Sequence, residues 1–377
     1  MPGLYIHVPF CRKKCLYCDF VSFDCTNDYA GYVAALLQEM RLLSPMMEDR
    51  YFDTVFIGGG TPSILNENSI RIIVNELRNC FKISDDCEFT IESNPESLTL
   101  QKLRTYCELG INRLSIGLQS GDDVVLKNIG RVHNREQFEK AIASARVAGF
   151  GEINVDLMHG LPGQSMDSYL DSIKLAVDSG CTHISSYSLI LEEHTPMFAL
   201  WKDGEIILPT EDETADMEDA GFDLLEEFGF NRYEISNFAK SGHECKHNIN
   251  YWQNGEYLGI GLNSHSAMHL HGKWLRWANK AELSDYVLSV ANGKLPVETT
   301  EEVDRESEMF ETIMVGLRMT EGVNRRKFFE RFGIDPVENF ASAVSAEQLN
   351  GNLIVTDDRM ALTKRGMDFL NEVLLSF

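Results

Sequence analysis

The chain has 377 residues, 44% hydrophobic and 24% charged, so one large α/β domain with an appendage, or two domains, is expected around a core of ordinary size. Its 34 basic and 58 acidic side chains leave a net charge of −24, which disfavours non-specific binding to nucleic acid or anionic lipid without excluding a local basic patch. No apolar run approaches the ~20 residues of a membrane helix, and the first residues lack the basic and apolar regions of a signal peptide, so the expected compartment is the cytoplasm.

Tyr5–Val8 reads as a strand. Directly after it come Cys11, Cys15 and Cys18, spaced C-x₃-C-x₂-C. One short loop at that spacing can wrap three thiolates around one metal centre, and thiolates are the usual ligands of iron–sulfur clusters. Three cysteines on a [4Fe–4S] cluster leave one iron open, which makes the cluster a reagent. A zinc site with His7 as fourth ligand, or chance in a chain of nine cysteines, are the alternatives. The odd count without an export signal points to reduced thiols rather than disulfides. The other six cysteines, Cys25 among them, are scattered, and Cys25 lies outside the triad.

Strands and helices then alternate. Helices are predicted over Tyr29–Leu43, Ser69–Asn79, Leu100–Glu108, Arg135–Ala148 and Met166–Ser179, and strands over Thr54–Ile57, Glu88–Ile91, Arg113–Gly117, Ile153–Leu157 and His183–Leu189. Six strands with five intervening helices imply a parallel sheet with right-handed crossovers and functional loops at the carboxyl ends of the strands. Gly58-Gly59-Gly60-Thr61-Pro62 follows the second strand, where glycines let backbone approach a ligand, although such turns are common. Glu92 ends the third strand, Gln119 the fourth and Asp156 the fifth; Arg131 follows in Gly130-Arg131-Val132-His133. A strand-end carboxylate can take an ammonium or a ribose hydroxyl, and an arginine suits a carboxylate. Each has a bland alternative as a solvated loop residue.

Residues 191–300 are less regular, with acidic Glu211–Asp219 leading into an amphipathic helix through Phe228 and a further strand expected at Asn231–Ile235. Beyond 301, helices Arg305–Leu317 and Arg325–Phe332, a hairpin of Leu353–Thr356 and Met360–Thr363 turning at Asp357-Asp358, and a last helix Lys364–Leu374 suggest a winged-helix-like module. Nine basic against fifteen acidic residues there, a balance of −6, argue against nucleic acid.

The triad and strand-end motifs together resemble the oxygen-independent coproporphyrinogen III oxidase (HemN) family of radical S-adenosylmethionine (SAM) proteins, from Tyr5 to the C-terminus. The resemblance implies a partial (β/α)₆ barrel with a small C-terminal module, divided at about 1–190, 191–300 and 301–377. It implies a [4Fe–4S] cluster on Cys11, Cys15 and Cys18 whose open iron is chelated by SAM. It further implies SAM contacts at Tyr5, Tyr17, Gly59, Gly60, Thr61, Glu92, Gln119, Arg131, Asp156, Ile190 and His265. Two departures mark the subgroup. The decarboxylating dehydrogenases carry a further cysteine two residues after the triad, where this chain has Phe20, and a longer arm than the four residues before Tyr5. His247-Asn248-Ile249-Asn250-Tyr251-Trp252 fits H-N-x-x-Y-W, which resembles the signature of the heme chaperone branch. Imidazole ligates heme iron and aromatic rings can cover the porphyrin, which nominates His247, Tyr251 and Trp252 for heme; a structural loop packing Trp252 into the core is the alternative. The expected function is therefore a radical SAM heme chaperone serving acceptor hemoproteins such as respiratory cytochromes, with an electron donor such as flavodoxin or ferredoxin. Coproporphyrinogen III oxidation is the first alternative, followed by a heme-degrading or methyl-transferring relative and a non-catalytic zinc or iron–sulfur module.

Overall fold

The computed structural model describes residues 2–24 and 29–377, so Cys25 lies outside the described residues. Six strands, β1 (Gly3–Val8), β2 (Tyr51–Gly59), β3 (Lys82–Ser93), β4 (Arg113–Gln119), β5 (Glu152–His159) and β6 (His183–Ser188), lie side by side in chain order, all parallel. The crossovers are helices Ala30–Leu43, Glu67–Cys80, Leu100–Glu108, Arg135–Ala148 and Met166–Asp178. A short helix at Asp123–Asn128, absent from the sequence-based expectation, precedes the fourth crossover.

Alternation along the strands sorts the side chains. Leu4 and Ile6, Ile91, Leu114 and Ile116, and Val155 and Leu157 are fully buried in the large hydrophobic core. Their neighbours Tyr5, Thr90, Glu92, Ser115, Asn154 and Asp156 line the barrel interior. The helices answer the apolar face: Ile70, Ile73, Val74 and Leu77 recur at helical spacing and are fully buried, and the Asn66 side chain caps that helix by accepting from the Ser69 N–H at 2.9 Å.

The remaining strands extend both edges. Beyond β6 lie β7 (Asn231–Arg232), shorter than the Asn231–Ile235 expected, and β8 (Asn237–Ala239). At the other edge β9 (Tyr257–Ile260) pairs in parallel with β1, and β10 (His265–Leu270), β11 (Lys273–Asn279) and β12 (Val297–Val303) continue antiparallel. The order is β12-β11-β10-β9-β1-β2-β3-β4-β5-β6-β8-β7, an open sheet. The barrel is therefore partial, as expected.

The C-terminal module has its own core, built on Ile313, Leu317, Phe328, Leu353, Met360 and Val373. Its sheet joins β13 (Val323–Asn324), β14 (Leu353–Val355) and β15 (Arg359–Leu362), with β15 in the middle. Helices Pro336–Asn339 and Ala341–Leu349 precede the hairpin. The last helix divides at Phe369, whose φ of −110° and ψ of 27° leave the helical region. Among the described residues no helix is long and apolar enough to cross a membrane.

Gly221, buried in helix Glu211–Glu227, shows how tightly this helix packs on the barrel. A Cβ there would lie 2.5 Å from Cε1 and the hydroxyl of Tyr169, which is fully buried and bonded to the Ser186 hydroxyl at 2.8 Å. Helix propensity favours alanine by ~1 kcal/mol, but overpacking costs ~1–3 kcal/mol. Gly221→Ala is expected to lower the urea midpoint; a raised midpoint would contradict this packing.

Candidate functional site at the carboxyl ends of the strands

The cysteine loop leaves β1 and folds over the carboxyl ends of the neighbouring strands. It is pinned from outside: the Leu16 N–H donates to the Ile129 carbonyl at 3.1 Å, and the Met197 N–H to the Leu16 carbonyl at 2.9 Å. Beneath it, Gly60 leaves no room for a side chain. A Cβ there would lie 2.7 Å from the Phe10 carbonyl oxygen and 3.0 Å from Cys11 Sγ. Gly59 has φ +113°, and its N–H donates to Glu92 Oε2 at 2.9 Å. The expected close backbone approach is thus real, and it brings the glycine turn against both the loop and the end of β3.

Cys11, Cys15 and Cys18 line a cavity of about 380 Å³ together with Tyr17, Gly59, Gly60, Thr61, Glu92, Gln119, Arg131 and Asp156. Among the described residues no three His, Cys, Asp or Glu side chains converge on a single-ion site. Thr61 Oγ1 donates to Cys11 Sγ at 3.5 Å and Arg131 Nη1 to Cys15 Sγ at 3.5 Å. Burial pushes the Cys11 and Cys18 thiols up from their ordinary values; a bound cation would supply the missing counter-charge.

Arg131 Nη2 donates to Asn94 Oδ1 at 2.7 Å and to the Gly117 carbonyl at 2.6 Å. Its Nε is buried without a partner, a donor left over for a ligand oxygen. Asp156 accepts from Asn154 Nδ2 at 2.7 Å and from the Ser115 hydroxyl at 3.3 Å. Burial pushes Glu92 up to about 8, aided by the Asp156 charge and opposed by the Gly59 N–H. Burial also raises Asp156, against the hydrogen bonds from Asn154, Ser185 and Ser115. Two buried carboxylates facing one cavity call for a cationic ligand. The amino, carboxylate and sulfonium groups of SAM match this set, and the thiols match an iron–sulfur cluster.

Three proposed SAM contacts lie elsewhere. Tyr5 lines a second, deeper cavity of about 180 Å³, whose ceiling includes Glu92, Asp156 and Tyr187, shared with the first. Ile190 is 71% exposed beyond the end of β6, and His265 is exposed on β10, paired with Ala278; neither lines the cavity. The reason for His265 is that its strand lies beyond β9, outside the six-strand barrel. Asn94 and Tyr187 do line it and were missed. Asn94 was detectable, because period 2 puts it on the same face as Glu92; it donates to Thr61 Oγ1 at 3.1 Å and so joins the turn to Arg131.

The H-N-x-x-Y-W segment forms the helix Lys246–Trp252 under the barrel. The His247 ring is 2% exposed, with Nδ1 2.7 Å from the Thr54 hydroxyl, Nε2 3.1 Å from the Tyr251 hydroxyl, and its face stacked on Phe56 at 5.2 Å. Burial pushes it down to about 3, so it is neutral. Both ring nitrogens are engaged, which does not fit His247 as a heme ligand. Tyr251 lines the deep cavity with His247, whereas Trp252 lines a different one, against the C-terminal module. The three residues do not form one heme surface.

Fold and site define a radical SAM protein with a HemN-type appendage. The radical SAM superfamily model matches residues 5–176, and the HemN C-terminal domain model residues 303–369. The heme chaperone HemW of Bacillus subtilis is 36% identical over 100% of this chain and 99% of its own length. That of Escherichia coli is 32% identical over 100% and 97%. Coproporphyrinogen III oxidase (HemN) from Escherichia coli has the same fold, with a TM-score of 0.86 over 100% of this chain and 89% of that one at 22% identity. The chain belongs to the HemW family.

The Glu92 environment makes stability pH-dependent. Its pKa is about 8 in the fold against 4.5 ordinarily, so its contribution is full below 4.5 and is lost as pH rises through 8. The Tm of the ligand-free protein should therefore fall between pH 6 and 9, and fall less in Glu92→Gln. Glu39, which burial raises to about 7, adds a decline common to both. Identical Tm-against-pH curves would show that Glu92 is not perturbed.

Proposed function

We propose that this chain is a cytoplasmic heme chaperone. It holds a [4Fe–4S] cluster on Cys11, Cys15 and Cys18, binds SAM across the strand ends, and hands heme to acceptor hemoproteins such as respiratory cytochromes. The observation that carries this reading is the end-to-end identity of 32–36% with proteins named heme chaperone HemW.

The residues around the cavity support the SAM part. Glu92 is steadied by the Gly59 N–H at one oxygen, and the other oxygen is free among the described residues for the SAM amino group. Arg131 keeps Nε for a carboxylate oxygen. Asp156, Gln119 and Tyr17 close the cavity around the remaining ligand atoms. A bound and reduced cluster supplies the electron for SAM chemistry. The donor, such as flavodoxin or ferredoxin, would meet the cluster loop at its exposed Arg12 and Lys13.

Coproporphyrinogen III oxidation is the rival on the same scaffold. Phe20 weighs against it: the side chain stands 67% exposed at the cavity wall, where the decarboxylating enzymes have a cysteine. Full-length protein, reconstituted anaerobically, should bind hemin, seen as a new Soret band. Supplied with SAM and a reductant, it should convert no coproporphyrinogen III. Robust formation of protoporphyrinogen IX would establish the oxidase and overturn the chaperone.

A further inference from the structure

We propose that His183 and Tyr233 are positioning residues for Asp156: through one hydrogen-bond chain they present its carboxylate to the ligand as an ionised acceptor. The inference rests on the SAM reading above and adds two residues to which that reading gives no role.

The chain runs through the wall of the deep cavity. Asn154 Nδ2 donates to Asp156 Oδ1 at 2.7 Å and to Ser115 Oγ at 2.9 Å, and the Ser115 hydroxyl donates to Asp156 Oδ2 at 3.3 Å. On its other side, Asn154 Oδ1 lies 2.7 Å from His183 Nδ1 and accepts from the Ser185 hydroxyl at 3.1 Å. His183 Nε2 lies 2.8 Å from the Tyr233 hydroxyl. All of these side chains but Asp156 belong to buried residues, and Tyr233 is tied to the C-terminal module, its carbonyl accepting from the Thr320 N–H at 3.1 Å.

Two proton arrangements satisfy the links from Asp156 to His183. In the first, Asp156 is ionised, Asn154 turns its amide nitrogen to it, and His183 carries its proton on Nδ1. Tyr233 then donates to Nε2. In the second, a protonated Asp156 donates to a reversed amide, and His183 carries its proton on Nε2 and donates to Tyr233. Burial lowers the imidazole well below its ordinary pKa, with Arg113 adding to this, so His183 is neutral and either arrangement is open to the ring itself. The far end chooses. Asn248 Nδ2 donates to the Tyr233 hydroxyl at 3.4 Å. With His183 donating there as well, the Tyr233 proton would have no acceptor among the described residues, a costly loss for a buried hydroxyl. The first arrangement leaves every link satisfied. It also opposes the effect of burial, which pushes the Asp156 carboxyl up. An ionised Asp156 favours a ligand with more positive charge, so the chain sharpens the preference for SAM, a sulfonium, over its neutral thioether S-adenosylhomocysteine.

The test titrates the reconstituted full-length chain with both compounds. His183→Leu removes the donor and lets Asn154 reverse. It should bind SAM about tenfold more weakly and lose less affinity for the thioether, with iron content unchanged. His183→Asn keeps an amide nitrogen near the place of Nδ1 and should restore most of the SAM affinity. Tyr233→Phe, a milder change, should weaken SAM roughly threefold with the same selectivity. In the wild type, nitrogen NMR of labelled histidine should find the His183 proton on Nδ1. If His183→Leu does not fold, Tyr233→Phe and the tautomer decide. Equal losses for the two ligands, no loss in either variant, His183→Asn no better than His183→Leu, or a proton on Nε2 would overturn the inference while the SAM reading stands. If wild type binds no SAM, the SAM reading itself falls.

Discussion

One guanidinium holds the site together. Arg131 reaches from the loop after β4 to a cluster-loop thiol, to Asn94 beyond the end of β3 and to the carbonyl of Gly117 in β4. A buried cation is costly unless its donors are satisfied and negative charge lies near. Here the acceptors come from three separate elements, so the arginine fixes their mutual position. The cysteine loop has little regular structure of its own, and its geometry is borrowed from this contact, from Thr61 and from the backbone clamps at Leu16.

The sheet explains why these groups meet. Strand alternation sends one set of side chains to the helices and the other into the barrel, so residues far apart in the chain but of equal parity at neighbouring strand ends face a common space. Glu92 on β3 and Asp156 on β5 face that space from either side of β4, and Asn154 and Ser115, which hold Asp156, belong to the same inward set. The same two carboxylates form the boundary between the upper cavity, with the thiols, and the deeper one, with Tyr5, His247 and Tyr251.

The legible parts of the sequence were those set by local pattern. Apolar periodicity located all six parallel strands and five crossovers, and the strand ends then located Gly59, Glu92, Gln119 and Asp156. What was not legible depends on distant pairing. Tyr257–Ile260 becomes a strand by docking on β1 some 250 residues earlier. The β10–β11 hairpin did carry a local signal, His271-Gly272 with both φ positive, flanked by alternating residues. His247 illustrates the other failure: a motif identifies a residue but not the direction its side chain takes, and burial against Phe56 and Thr54 makes it a structural pin in this fold.

The central claim is that cluster thiols and strand-end polar groups serve one cavity in separable roles. Parallel measurement of iron content and SAM affinity in Cys15→Ala and Asp156→Ala tests it most directly. Cys15→Ala should lose most of its iron. Asp156→Ala should keep wild-type iron while SAM binding weakens by about 1.5–3 kcal/mol, the scale of a lost charged hydrogen bond. Unchanged SAM affinity in Asp156→Ala, or full iron in Cys15→Ala, would contradict the account.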